Sequence, residues 1–312
     1  MYVICYLYSG MKNNTIQYDA VIIGGSYAGL SAAMGLGRAR RQVLVIDSGA
    51  PCNKQTPHSH NFLTQDGNTP AGIAAIAREQ VLRYPTITIA ADTVIAASGT
   101  NNDFTLSLAG GEEVFTRKLL FATGIRDIMP EIPGFADCWG ISAIHCPYCH
   151  GYEYSDQPTG ILANGEAAAD FGLLIRNWTA ALTIFTNGYS TIPEASRMKL
   201  EAQGIGINEN PVLHVVHDHG QLSQLDLGGG DYAKLNALYA RLPFIQHCTL
   251  PAALGCELDD KGYLKVNELQ STTVEGIYAA GDNTSPMRAV AAAVAAGAKA
   301  AAMLNHELVA GK

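Results

Sequence analysis

Residues 18–47 read YDAVIIGGSYAGLSAAMGLGRARRQVLVID. Tyr18 to Ile23 is a continuous apolar, β-branched run bounded by glycines, the pattern of a strand buried on both faces of a parallel sheet. Gly24-Gly25-Ser26-Tyr27-Ala28-Gly29 follows, then the helical stretch LSAAMGLGRARR and a second buried strand, Val43 to Ile46, that ends at Asp47. This is a βαβ fingerprint for a dinucleotide: Gly24 makes the tight turn, Gly29 lets helix and strand approach, and the helix N-terminus receives a pyrophosphate. Asp47, 23 positions after Gly24, falls where a carboxylate accepts hydrogen bonds from a ribose. Ser26 holds the second glycine position, so its methylene and hydroxyl must fit beside the phosphate or bond it. Gly24, Ser26, Ala28, Gly29 and Asp47 are therefore the expected cofactor contacts of this unit.

Downstream, Ala50 to Asn68 is rich in turn formers and holds Cys52, His58, His60 and Asn61. It reads as a surface loop or as one folded over the cofactor, with Asn61 as a contact. Thr69 caps a helix that has Pro70 at its first position. Three alternating runs with turns at SGTNND and AGGEE predict a small antiparallel meander, whose last strand ends in Ala122-Thr123-Gly124. Beyond Pro130 and Pro133, residues 160–163, 166–176 and 182–185 form a second βαβ-like unit. Its turn, Ala163-Asn164-Gly165-Glu166-Ala167-Ala168, lacks the first glycine of the fingerprint. Thr186-Asn187-Gly188 after its second strand offers neither a ribose-binding carboxylate nor arginines for a 2′-phosphate. Residues 211–227 alternate around Asp218-His219-Gly220, a hairpin signal. Alternation puts His217 and His219 opposite His214, so these histidines read as a solvated edge and no metal site is expected. Near the end, GIYAA (276–280) is another buried strand closing in Gly281-Asp282, and a long Ala-rich helix is expected from Ser285 and Pro286.

Between the two units stands IHCPYCHGYE, residues 144–153. Cys146 and Cys149 can close a small disulfide ring, and His145 and His150 flank them as proton carriers or thiolate-stabilising cations. CPYCH also spells the c-type haem attachment motif, but that chemistry needs export and no signal peptide precedes it. A zinc site would need a second ligand pair, since four ligands packed this closely cannot easily surround one ion. CPYC also occurs in glutaredoxins, where it opens a small domain near the N-terminus instead of following some 145 residues of another pattern.

With 312 residues, 48% of them hydrophobic, the chain can bury the cores of about two domains. A net charge of -8, with only 20 Lys and Arg, excludes nucleic acid and anionic membrane as natural partners. Seven cysteines, an odd number with one closely spaced pair, suit a reducing, cytoplasmic compartment. No apolar run is long enough to span a membrane. Residues 1–10 are apolar but short, read as a tail, and leave Met11 as a possible start.

The order of these motifs resembles the low-molecular-weight thioredoxin reductases: a G-x-x-x-x-G βαβ unit, ATG at 122–124, C-x-x-C in a second βαβ domain, and a terminal GIYAAGD before a helix. The resemblance runs from Tyr18 to the C-terminus. It implies an α/β fold of two Rossmann-like, three-layer ββα domains, the second inserted into the first: 11–127 and 247–312 binding FAD, 128–246 carrying the redox pair. It further implies that Gly281 and Asp282 contact the ribityl and phosphate region and that the backbone after Arg288, at Ala289, meets the flavin pyrimidine edge. The degraded second fingerprint, with His150 where that family has an acidic proton donor, is similar to the branch of dithiol oxidases that close the disulfides of gliotoxin, holomycin and romidepsin. On that basis Cys146, Cys149 and His150 are the expected catalytic residues, Cys146 being the outer sulfur. The implied partner is a small-molecule dithiol or disulfide, or a small thioredoxin-like protein, and the implied assembly is a homodimer. Two alternatives stay open: a disulfide reductase driven by NADPH or ferredoxin, and a flavin-bound redox sensor without turnover.

Overall fold

The structure, a computed structural model, describes residues 17–311; the expectations for residues 1–10 and Met11 lie outside them. The chain opens with β1 (Gln17–Ile23), α1 (Tyr27–Arg38) and β2 (Val43–Ile46), then runs through the loop 47–69 to α2 (Pro70–Leu82) and β3 (Ile87–Ala90). The meander β4 (Val94–Thr100), β5 (Asp103–Leu108) and β6 (Glu113–Phe121) follows, with its turns at the two stretches expected. β7 (Ile125–Asp127) leads to a short helix α3 (Phe135–Cys138), the two-residue β8 (Ala143–Ile144) and the one-turn helix α4 (Pro147–His150). Next come β9 (Thr159–Leu162), α5 (Glu166–Ile175), β10 (Leu182–Phe185), α6 (Glu194–Ala202) and β11 (Gly206–Asn208). A second meander, β12 (His214–Asp218), β13 (Gln221–Gly228) and β14 (Asp231–Lys234), precedes β15 (Ala237–Ala240) and β16 (Phe244–Gln246). The chain closes with α7 (Leu250–Ala253), β17 (Ile277–Ala279) and α8 (Val290–Val309).

Two large sheets result, the first mixed and the second parallel. The first runs β3-β2-β1-β6, with β17 against the C-terminal half of β6 and the meander strands β5 and β4 beyond its N-terminal half. The second runs β11-β10-β9-β15-β8. From Ala20 to Ile23 β1 is apolar and buried because both its faces are covered, and its two-residue period sends alternate side chains to different cores. Ala20 and Ile22 pack with α1 and α8, whereas Val21 and Ile23 pack with Phe104, Leu106 and Phe121 on the meander side. The second sheet repeats the design, Ile161 and Ile184 facing α5 and α6 while Phe185 and Leu238 face the second meander. Each half is thus helix, sheet, sheet in three layers. β7 and β16, the two crossings between the sheets, pair antiparallel with Arg126 opposite Ile245.

The two ends of the chain meet where α1 lies on α8. A Cβ on Gly297 would overlap the carbonyl of Ala28, and one on Gly35 would lie 2.8 Å from Ala301 Cβ, so glycine sets the interhelical distance. Ser31 Oγ donates to the Val294 carbonyl at 2.7 Å across the same contact. The final helix begins later than its composition suggests, at Val290 and not at Ser285. Ala289 is extended, and the segment before it turns back on itself, Thr284 N donating to Gly281 O and Arg288 N to Pro286 O. The hairpin at 214–228 forms, but a bulge between Val216 and His217 ends strict alternation, and His219 sits exposed in the turn. No cluster able to hold a metal ion occurs among the described residues, and no helix there is long and apolar enough to cross a membrane.

Candidate active site

A long cleft starts beside Asp47 and ends at the cysteine pair. Its outer part, about 550 Å³, is lined by Gly24, Gly25, Ser26, Asp47 and Arg78. It shares Ser26, Tyr27, Ala122, Thr123 and His247 with an inner part of about 180 Å³ that reaches Cys149. Gly24 has φ +106°, and a Cβ there would overlap the Ala122 carbonyl; one on Gly25 would lie 2.7 Å from Asp47 Cβ. The turn therefore brings main chain, free of side chains, onto the outer cleft at the start of α1, where the first N–H groups of a helix lack internal partners. Ser26 occupies the N-cap with no capping bond from its hydroxyl, which leaves that hydroxyl available to a ligand. Gly29 does not line the cleft. A Cβ there would strike the Gly24 carbonyl, so its role is the close packing of helix on strand. Asp47 is held by Arg78, Nη2 to Oδ2 2.9 Å, a partner on α2 that no motif announced.

At the inner end the elements after β8 carry the redox pair. β8 is the edge strand beside β15, and the chain leaves it through His145 into Cys146, the N-cap of α4. Cys146 and Cys149 form a disulfide with Cα atoms 5.3 Å apart. Cys149 lines the cleft and Cys146 does not, so the two sulfurs are inequivalent, with Cys149 the inner one. Burial pushes the His150 imidazole below the ordinary histidine range, against the pull of Glu153. His145 is driven further, down to about 3, by burial and then by Arg288, and its Nε2 has no partner. Neither histidine is a thiolate-stabilising cation at neutral pH, contrary to one sequence expectation, because the low-dielectric wall penalises their charge. Both imidazoles are held neutral, and His145 resists a proton more strongly than His150.

Below the pair sits a network that the sequence did not reveal. Arg288 makes two hydrogen bonds to Asp127, at 2.8 and 2.9 Å, and its Nε lies 3.5 Å from Asp282. Asp127 also accepts from Trp139 Nε1 at 3.1 Å. Strand β7, the loop before α8 and the second sheet's domain thereby meet at one nearly buried carboxylate, 5% exposed. Burial lifts the Asp282 carboxyl above its ordinary range, and Arg288 opposes that lift. Asn283, fully buried, donates to the Phe121 carbonyl at 2.9 Å and fastens Gly281-Asp282 to the end of β6. The partner aspartate, Asp127, lies 161 positions from Arg288, which is why no local signal could find it.

The corresponding turn of the second sheet is built differently. Asn164 Oδ1 accepts from Gly165 N, Thr191 N and Thr191 Oγ1 at 2.8, 2.8 and 3.2 Å, and its Nδ2 donates to the Tyr189 carbonyl at 2.9 Å. The amide knots together the two loops at the carboxyl ends of β9 and β10, where this fold otherwise admits a pyrophosphate. Glu166 places a carboxylate in the first turn of α5, bonded to Ser196 Oγ at 2.8 Å. A phosphate arriving there meets the Glu166 carboxylate and a Gly165 N–H already bonded to Asn164.

The residues present fit FAD. The glycine-cradled turn suits a pyrophosphate, Asp47 a ribose, and Thr123 Oγ1, His145 Nε2 and Arg288 Nε are buried polar atoms along the inner cleft without a hydrogen-bond partner, which a ring rich in donors and acceptors can satisfy. Ala28, Ala122, Thr123, Gly124, Gly281, Asp282, Arg288 and Ala289 all line this inner part. Asn61 does not. It stands at φ +59° in a turn where its N–H donates to Asp66 Oδ1 at 2.7 Å, and its exposed side chain is outside the lining. Its neighbours His58, Ser59 and His60 reach the cleft instead.

Comparison with known proteins agrees with this geometry. The family model for pyridine nucleotide-disulphide oxidoreductases matches residues 18–297. Thioredoxin reductase tcpT of Claviceps purpurea is 34% identical over 309 residues, covering 94% of each chain. An oxidoreductase from Agrobacterium tumefaciens superposes with a TM-score of 0.89 at 35% identity, over 95% of this chain and 100% of that one. The crystal structure of HlmI superposes with a TM-score of 0.89 at 33% identity, over 95% of both chains. A glycine-cradled dinucleotide turn, a C-x-x-C disulfide at the far end of one cleft and these likenesses lead to one conclusion: the chain belongs to the pyridine nucleotide-disulphide oxidoreductase family.

Proposed function

We propose that this FAD-dependent thiol–disulfide oxidoreductase runs toward oxidation, closing a dithiol into a disulfide. The observation that carries the direction is the Asn164 knot: the loop where a reducing pyridine nucleotide would bind is tied by the Asn164 amide to the loop after β10, while the FAD turn in the first domain brings bare main chain onto the cleft. Each lost contact to a charged phosphate costs about 1.5–3 kcal/mol, so two lost contacts weaken NADPH binding by roughly two to four powers of ten. We assign 11–127 and 247–312 to the FAD domain and 128–246 to the redox domain.

In this reading a substrate thiolate attacks the sulfur of Cys146, forming a mixed disulfide and expelling Cys149 as thiolate. The second substrate thiol then attacks its partner sulfur, and the product disulfide leaves with Cys146 reduced. The His150 imidazole, kept neutral by burial, takes the proton that each thiol must lose. FAD, held by the turn at Gly24 and by the lining of the inner cleft, would supply a two-electron acceptor for the reduced pair, and with dioxygen as terminal acceptor a dithiol plus oxygen would give a disulfide plus hydrogen peroxide. The substrate is a small dithiol or the dithiol of a small thioredoxin-like protein. A homodimer is the assembly that the family resemblance implies, and sedimentation at micromolar concentration tests it. The described cysteines outside the pair, Cys52, Cys138, Cys248 and Cys256, are unpaired, as suits a cytoplasmic enzyme.

Anaerobic bleaching of the bound flavin decides the direction. Dithiothreitol is expected to bleach it within the turnover time and air to restore it with peroxide release, while NADPH at micromolar concentration leaves it yellow. Rapid bleaching by NADPH reverses the assignment in favour of a disulfide reductase, and bleaching without steady-state turnover favours the sensor.

A further inference from the structure

The loop 58–68 is a built element. Ser59 N donates to Asn68 O at 2.8 Å, Gly67 N to Ser59 O at 2.9 Å, and Asn61 N to Asp66 Oδ1 at 2.7 Å. These bonds hold out His60, whose two ring nitrogens lie between carboxylates: Nδ1 3.7 Å from Asp66 of its own loop and Nε2 3.3 Å from Glu153 in the turn after α4. His60 and His150 both line the inner cleft, and Glu153 stands three residues after His150. We propose that His60 and Glu153 are positioning residues for His150: their contact ties the loop 58–68 to the redox segment and fixes the imidazole beside the cysteine pair.

The inference rests on the oxidative reading above, in which His150 carries the proton. Geometry gives the pair its reach, because His60 belongs to the first sheet's domain and Glu153 follows the second's redox helix. Electrostatics then gives it a direction. The charged groups that bear on His150 are Glu153, which favours a proton on the ring, and His60, which opposes one; His150 in turn disfavours charge on His145. Removing Glu153's charge therefore weakens His150 as a base, and removing His60 strengthens it. A contact that only braced the loop would slow the enzyme equally at every pH.

The test is the pH profile of anaerobic flavin reduction by dithiothreitol, with FAD content and thermal midpoint recorded for each variant. In Glu153→Gln the midpoint of the profile is expected to move to lower pH, and in His60→Gln to higher pH, each by about half a unit to one unit for partly exposed neighbouring charges. Glu153→Asp, whose shorter side chain withdraws the carboxylate, is expected to shift the profile the same way as Glu153→Gln but less, and it replaces that variant if FAD is lost. Midpoints that coincide with the wild type, or that move in the same direction in Glu153→Gln and His60→Gln, overturn the inference while leaving the oxidase reading intact. A wild-type enzyme that dithiothreitol does not bleach refutes the oxidase reading itself.

Discussion

Replacing Asp127 by Asn isolates the network beneath the redox pair. The carboxylate accepts two guanidinium hydrogen bonds at 2.8 and 2.9 Å and the Trp139 indole N–H at 3.1 Å, with only 5% of its side chain exposed. Removing one partner of a buried ion pair costs about 3–5 kcal/mol, because the other charge is stranded. Two features reduce that figure here. Asn keeps one oxygen to accept from Trp139 or Arg288, and Asp282, at 3.5 Å from Arg288 Nε, still opposes the stranded cation. The expected loss is about 2–3 kcal/mol, which for a chain of this size lowers the thermal midpoint by about 3–5 °C. The assay is thermal unfolding of the FAD-loaded enzyme, followed by circular dichroism and by release of flavin fluorescence, since the network joins β7, Trp139 and the loop before α8. A midpoint within about 1 °C of the wild type, with full FAD content, would refute the reasoning, for it would show that Arg288 gains little from Asp127. Replacing both partners, Asp127→Leu with Arg288→Met, is expected to recover only part of the loss, because neither member of the pair is then stranded by the other while Asp282 loses its cation.

Cys146→Ser is expected to abolish dithiol oxidation with the flavin spectrum nearly unchanged, while Cys149→Ser removes the sulfur that lines the cleft and with it any thiolate-to-flavin absorbance; steady-state oxidation in both variants would sink the relay. His145 titrates near 6.5 when unfolded but near 3 when folded, so between those values the unfolded state binds the extra proton and stability falls on acidification. The slope is about 1.4 kcal/mol per pH unit for one such histidine, and His150 adds in the same sense. In urea titrations below about pH 6, His145→Gln is expected to flatten the dependence by close to one proton, and an identical slope would contradict the burial argument. Gly297→Ala drives a methyl into the Ala28 carbonyl, main chain that cannot swing away, and is expected to cost about 2–3 kcal/mol in urea unfolding; a neutral result would mean that α1 and α8 are not in fixed contact.

The local signals in this chain were legible because each depends on spacing within a few residues. Period-two burial in β1, the positive-φ turn at Gly24, the glycine needed at position 29 and the C-x-x-C ring follow from backbone geometry, so the fold class, the FAD turn and the redox pair could be read from the letters. Asn164 was legible only as a missing glycine. That its amide ties two loops together depends on Tyr189 and Thr191, some 25 residues away. The start of α8 was misplaced for a related reason: Pro286 and the Ala-rich run favour an early helix, but Arg288 is drawn to Asp127 and Asp282, and Ala289 stays extended. Asn61 was read from its place in the loop, and the fold gave its expected position on the cleft to His58 and His60. Burial was likewise invisible beforehand. His145 and His150 flank the cysteines symmetrically in sequence, yet packing sets how far each imidazole falls below its ordinary proton affinity, since the cost of charge depends on every neighbour in space and not on the neighbour in the chain.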